Sequence, residues 1–156
     1  MANDADTPWY ADGLRFECTQ CGACCTGPTG FVRYSDSEAE GMAKRLGITV
    51  SEFSDRYTMM TPAGRSLAEV RTEHGFDCIF LDRETHPGKA VCSLYEDRPT
   101  QCRTFPWWPA NIASKRAWNA LAKGCEGVNR GGIVPSEEIL VQLRVQIAKD
   151  RGATPA

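Results

Sequence analysis

Histidine is scarce in this chain of 156 residues, with only His74 and His86 present, so a site built on imidazole ligands is not expected. Both fall in predicted loops. No apolar run approaches the roughly 20 residues of a bilayer-spanning helix, which excludes a helical membrane protein. The opening stretch MANDADTPWYADG is acidic and polar rather than basic then apolar. It lacks the layout of a secretory signal, and the expected compartment is the cytoplasm. Positive charge is not in excess either, with 18 Lys and Arg against 20 Asp and Glu and a net charge of −2. Ligating thiolates would make that balance more negative, so a nucleic-acid binder steered by bulk charge is excluded. Phosphate-cradling glycine loops, a dinucleotide fingerprint and a nucleophile–base constellation are all missing. There is no internal repeat and no low-complexity segment.

Against these absences stands an abundance of cysteine. Cys18, Cys21, Cys24 and Cys25 fall within eight residues as C-x-x-C-x-x-C-C, and Cys78, Cys92, Cys102 and Cys125 follow singly. In a secreted miniprotein eight cysteines would read as a disulfide framework, but in a reducing cytosol they read as ligands. Soft sulfur donors at chelate spacing select zinc or iron. Buried thiols packed as small hydrophobes would not produce that spacing. Adjacent side chains in extended backbone point in opposite directions, so Cys24 and Cys25 do not fit one simple mononuclear site. Two alternatives stay open: two sites that divide the pair, or a single iron–sulfur cluster held by four of the cysteines.

The length suits one domain, and the pattern along it predicts a small α+β fold of short helices and a β-hairpin organised around the cysteine-rich metal site. Residues 1–15 read as a flexible leader, 16–127 as the metal-binding domain, and 128–156 as a linker and a C-terminal amphipathic helix packing on it. Ser35 with Glu38 and Thr49 with Glu52 are capping boxes that open two helices, and Gly47 closes the first. Strands are predicted at 31–34, 67–70, 78–81 and 91–94, with a hairpin turn at 86–89 bringing Cys78 toward Cys92. Asp97 is placed to cap a short helix carrying Cys102, with Pro99 in its first turn. Arg98 and Arg103 flank that cysteine, where they can screen thiolate charge or pair with Glu96 and Asp97. Trp107 and Trp108, set between prolines, read as an aromatic shield for the centre. Ser114 opens a further helix, 127–132 reads as a loop, and Ser136 opens the last helix with Ile139, Leu140, Leu143 and Ile147 on one face.

Taken with Cys18-Thr-Gln-Cys21-Gly22-Ala-Cys24-Cys25, the segments Cys78-Ile-Phe-Leu-Asp82 and Cys92-Ser-Leu-Tyr95-Glu-Asp-Arg98-Pro99-Thr-Gln101-Cys102-Arg103-Thr-Phe105-Pro106 resemble the YkgJ-type cysteine-cluster family. The likeness runs from about residue 16 to the Cys125-Glu-Gly127 ending. It implies a zinc- or iron-chelating domain. A related cysteine motif occurs in flagellin lysine-N-methylases, but this chain has no matching substrate or cofactor segment. The expected ligands are Cys18, Cys21, Cys24, Cys25, Cys78, Cys92, Cys102 and Cys125. The expected function is a cytosolic metal-binding protein rather than an enzyme, with zinc or iron, in mononuclear or iron–sulfur form, as cofactor. A metal ion and a protein are its expected partners, with neither nucleic acid nor membrane. The alternatives are an iron–sulfur redox or group-transfer enzyme of methyltransferase type and a metal-stabilised interaction module.

Overall fold

The structure, a computed structural model, describes residues 6–152. Residues 1–5 of the expected leader and 153–156 of the expected C-terminal segment lie outside the described residues. In chain order the first elements are β1 (Leu14–Phe16), α1 (Asp36–Leu46), α2 (Val50–Tyr57), β2 (Thr58–Thr61), β3 (Gly64–Leu67), β4 (Glu69–Thr72) and β5 (Gly75–Cys78). There follow β6 (Leu81–Asp82), β7 (Val91–Cys92), α3 (Thr100–Thr104), α4 (Pro109–Ile112), α5 (Lys115–Leu121), β8 (Val128–Val134) and α6 (Ser136–Gly152). The strands pair antiparallel in separate two-stranded ladders, which makes the fold α+β. No helix among the described residues is long and apolar enough to cross a membrane. The chain divides into two compact units, one of Gln20–Arg103 and one of Met1–Thr19 with Thr104–Ala156.

In the Gln20–Arg103 unit, local chemistry sets the helices. Both capping boxes form: Ser35 and Thr49 accept from the amides of Glu38 and Glu52, whose carboxylates accept in return. Gly47 ends α1 in the left-handed region at φ 70°. The apolar faces of α1 and α2 bury Ala39, Met42, Ala43 and Phe53 against Leu67, Phe80 and Leu94. Phe80 stacks on Phe53 at 6.3 Å and on Tyr57 at 5.2 Å. Burying an aromatic such as Phe53 contributes ~2–3 kcal/mol.

The strands depart from the expected runs. The 67–70 run is interrupted at Ala68, which leaves the ladder to donate its N–H to Tyr57 O and accept from Ile79 N–H. The 78–81 run breaks where Phe80 turns into the core. Consequently Cys78 pairs with Glu69 across β4–β5, while Cys92 pairs with Leu81 across β6–β7. The two cysteines belong to different ladders rather than to one hairpin. Residues 31–34 form no regular strand, although Val32 binds Leu67 N–H and the Ser66 hydroxyl. Asp97 does not cap α3. Its carboxylate pairs with Arg45, beside Glu96 at 2.9 Å, and the Glu38 carboxylate takes the Thr100 amide and hydroxyl instead.

The other unit is an aromatic core. Trp107 stacks on Trp118 with centroids 5.3 Å apart, amid Tyr10, Ile112, Cys125, Val128 and Ile139. The described part of the expected leader contributes to it: Tyr10 is buried, Trp9 donates to Ile112 O, and β1 pairs with β8. Where 127–132 reads as a loop, the chain becomes strand β8. Its glycines disfavour a strand locally, but β1 supplies a ladder from more than a hundred residues away. Gly127 is required there, since a Cβ would stand 2.2 Å from Glu17 O.

Candidate metal centre

Cys24 and Cys25 lie in a 3-10 turn, Ala23–Cys25, entered through Gly22 in the left-handed region. Their sulfurs are 3.7 Å apart. The segment around them is tied down beside each of three downstream cysteines. Near Cys92, Ala90 N–H donates to Gln20 O at 2.8 Å. Beside Cys78, the Thr26 hydroxyl donates to the Asp77 carboxylate and Phe76 N–H donates to Gly27 O. Beside Cys102, the Gln101 amide donates to Phe31 O and accepts from Arg33 N–H. Loop, two ladders and α3 thus hold Cys24, Cys25, Cys78, Cys92 and Cys102 within one unit.

Electrostatics registers that gathering. Cys24 is lowered to about 7, chiefly because Cys25 hydrogen-bonds to its sulfur, and Arg98 adds to the effect. Cys25 is raised correspondingly, first by the same bond, then by burial and the charges of Cys24, Cys102 and Cys78. Burial pushes Cys78 to about 11 and Cys102 to about 12, and repulsion from neighbouring thiolates adds to both. Cys92 is raised mainly by burial, with Arg98 opposing. Three of the five thiols therefore hold their protons chiefly through burial, and Cys25 chiefly through its bond to Cys24. Soft donors that are desolvated and mutually repelling fit a zinc or iron cation, which binds the deprotonated form. Among the described residues, no three Cys, His, Asp or Glu side chains stand together in metal-holding geometry.

Of the remaining expected ligands, one shares the unit of these five and two do not. Cys21 belongs to the same unit and is exposed. Cys18 and Cys125 belong to the other unit, the first exposed and the second buried in the aromatic core. None of the eight is joined in a disulfide. His74 and His86 are exposed, and His74 sits 3.5 Å from Glu73. Arg98 is held over the Tyr95 ring at 3.9 Å and donates to Tyr95 O, so it screens thiolates rather than pairing with Glu96 or Asp97. Trp107 packs the core of its own unit.

Sequence reasoning missed Asp77, Thr26 and Gln101. A signal was present for the first: an acid inside the apolar run Phe76-Asp77-Cys78-Ile79-Phe80 is a group that burial must partner. Asp77 is only 4% exposed, and Arg83 grips both its oxygens at 2.7 and 3.0 Å.

A family model named CxxCxxCC and described as a "putative zinc- or iron-chelating domain" matches residues 17–126. An uncharacterized protein of Methanocaldococcus jannaschii is 32% identical over 98 residues, which is 63% of this chain and 48% of that protein. The chain thus spans about half the length of that relative. No solved structure matches.

Proposed function

Because the chain belongs to the CxxCxxCC family, we propose that it is a cytosolic metal-binding protein that chelates zinc or iron through cysteine thiolates. The observation that carries this reading is the gathering of Cys24, Cys25, Cys78, Cys92 and Cys102, from the Ala23–Cys25 turn, two ladders and α3, within mutual electrostatic reach. These five would hold the ion, and bound cation would supply the positive charge their thiolates lack. Arg98 offsets part of that charge from the side. Cys18, Cys21 and Cys125 remain candidate ligands, each tested by its own Cys→Ser variant. A reducing cytoplasm keeps such thiols available as ligands rather than as disulfides.

Metal and acid-labile sulfide analysis of protein purified without air tests the reading. Stoichiometric zinc in a colourless protein, or iron in a coloured one, is expected, with metal lost in Cys78→Ser and Cys102→Ser. Iron with matching sulfide would identify a cluster and favour the redox or group-transfer alternative. Protein free of both metals, and unable to take up either on reconstitution, would overturn it.

A further inference from the structure

Asp77 stands one residue before Cys78, and Thr26 one residue after Cys25. The Thr26 hydroxyl donates to Asp77 Oδ1 at 2.5 Å, so one side-chain bond across 51 residues of chain joins the neighbours of two candidate ligands. The carboxylate cannot turn to accept it elsewhere. Arg83 binds Oδ2 at 2.7 Å through Nε and Oδ1 at 3.0 Å through Nη2, a forked pair that fixes the plane of the group. Backbone contacts seat the same segment a second time: Phe76 N–H donates to Gly27 O at 2.8 Å, and Gly75 approaches so closely that a Cβ there would stand 2.7 Å from that oxygen.

A surface ion pair has no need of such enclosure. Asp77 is the most deeply buried carboxylate among the described residues, and burying a charge is costly unless its partners are fixed. The location of that cost, between the turn bearing Cys24 and Cys25 and the strand end bearing Cys78, points to placement of sulfurs. We propose that Asp77, held by Arg83 and accepting from the Thr26 hydroxyl, is a positioning residue of the metal site that sets the Cys24–Cys25 turn against Cys78. This rests on the metal-binding reading above. Residues that orient ligands in this way, without touching the ion, typically change metal affinity 10–100-fold when removed.

Thr26→Val tests this with little change of shape, since a methyl group takes the place of the hydroxyl. Thr26→Ser should restore the bond, and Asp77→Asn removes the charge. Anaerobic titration of each metal-free protein with cobalt(II) reads affinity and the thiolate-to-cobalt absorption bands, while far-ultraviolet circular dichroism and thermal melting of the metal-free forms report the fold. The expected result is about a tenfold or greater loss of cobalt affinity and altered thiolate bands in Thr26→Val, with wild-type helix content, and recovery of both in Thr26→Ser. Cobalt affinity and bands equal to wild type in Thr26→Val would overturn the proposal while leaving the metal site standing. So would a loss that Thr26→Ser does not recover. Wild-type protein that takes up no cobalt, zinc or iron would overturn the metal-binding reading and this proposal with it. Asp77→Asn serves as a second variant wherever its melting transition shows that it folds.

Discussion

Gly22 sits at φ +78°, and a Cβ added there would stand 2.6 Å from the Ala90 Cβ. Both facts demand glycine at the entrance to the Cys24–Cys25 turn. Gly22→Ala is expected to destabilise the metal-free protein by roughly 1–3 kcal/mol, read as a lower urea midpoint. An unchanged midpoint would show that the turn relaxes at no cost. Next to it, Cys24 holds its proton the most loosely of the five thiols of the candidate site, at about 7. Of those five, iodoacetamide should therefore modify Cys24 first in metal-free protein, at a rate rising through pH 7, while Cys78 and Cys102 stay slow until far higher pH. Peptide mass spectrometry at short times checks the order, and initial labelling at Cys78 would contradict it. Asp77 titrates at the other end of the scale. Arg83 first, then Thr26, lower its carboxyl from 3.8 to about 2 against the cost of burial. A depressed folded-state value contributes stability that is present above about pH 4 and lost as pH falls toward about 2. Urea midpoints of metal-free protein measured down this range should fall in the wild type and fall less in Asp77→Asn.

At the scale of elements, Glu38 serves two helices. One carboxylate oxygen closes the α1 capping box, and the other receives the Thr100 amide and hydroxyl at the start of α3, which carries Cys102. Glu52 closes only its own box at α2. Glu38→Ala is expected to cost about 1–3 kcal/mol, more than the ~1 kcal/mol of Glu52→Ala, in paired chemical unfolding experiments. Equal costs would show that the bond to Thr100 contributes nothing net. Both boxes were legible in the sequence because cap and partner are three residues apart. The acceptor for α3 was not, since Glu38 lies 62 residues from Thr100 and nothing in Asp97-Arg98-Pro99 reveals that Arg45 has already taken Asp97. Strand β8 was illegible for the same reason. Asn-Arg-Gly-Gly has weak strand preference, and its ladder depends on β1, whose Leu14 and Arg15 read as the end of a leader.

Across the whole molecule, the four tryptophans, Trp9, Trp107, Trp108 and Trp118, all fall in the Met1–Thr19 and Thr104–Ala156 unit. The five gathered cysteines, with α1 and α2, fall in Gln20–Arg103. Tryptophan emission therefore reports one unit alone, while far-ultraviolet circular dichroism reads the helices of both, α5 and α6 among them. Chelation of the metal-loaded protein is expected to lower the melting temperature read by far-ultraviolet circular dichroism, where α1 and α2 contribute, because binding free energy is lost from the folded state. Tryptophan emission should hold its position at temperatures below that transition. A red shift of the emission on chelation alone would show that the aromatic core also depends on the metal.

The sequence by itself determined membership of a family described as zinc- or iron-chelating, the α+β class, the caps of α1 and α2 and the thiols available, because each rests on residue type or on spacing within a turn or two of chain. Only the tertiary structure divided the eight cysteines between units, with Cys18 and Cys125 in one and the other six in the other. It alone put Cys78 and Cys92 in separate ladders and buried Asp77 between the neighbours of Cys25 and Cys78. Those outcomes depend on pairings and buried charges between residues distant in the chain, whose free energies exist only once the backbone has closed the distance.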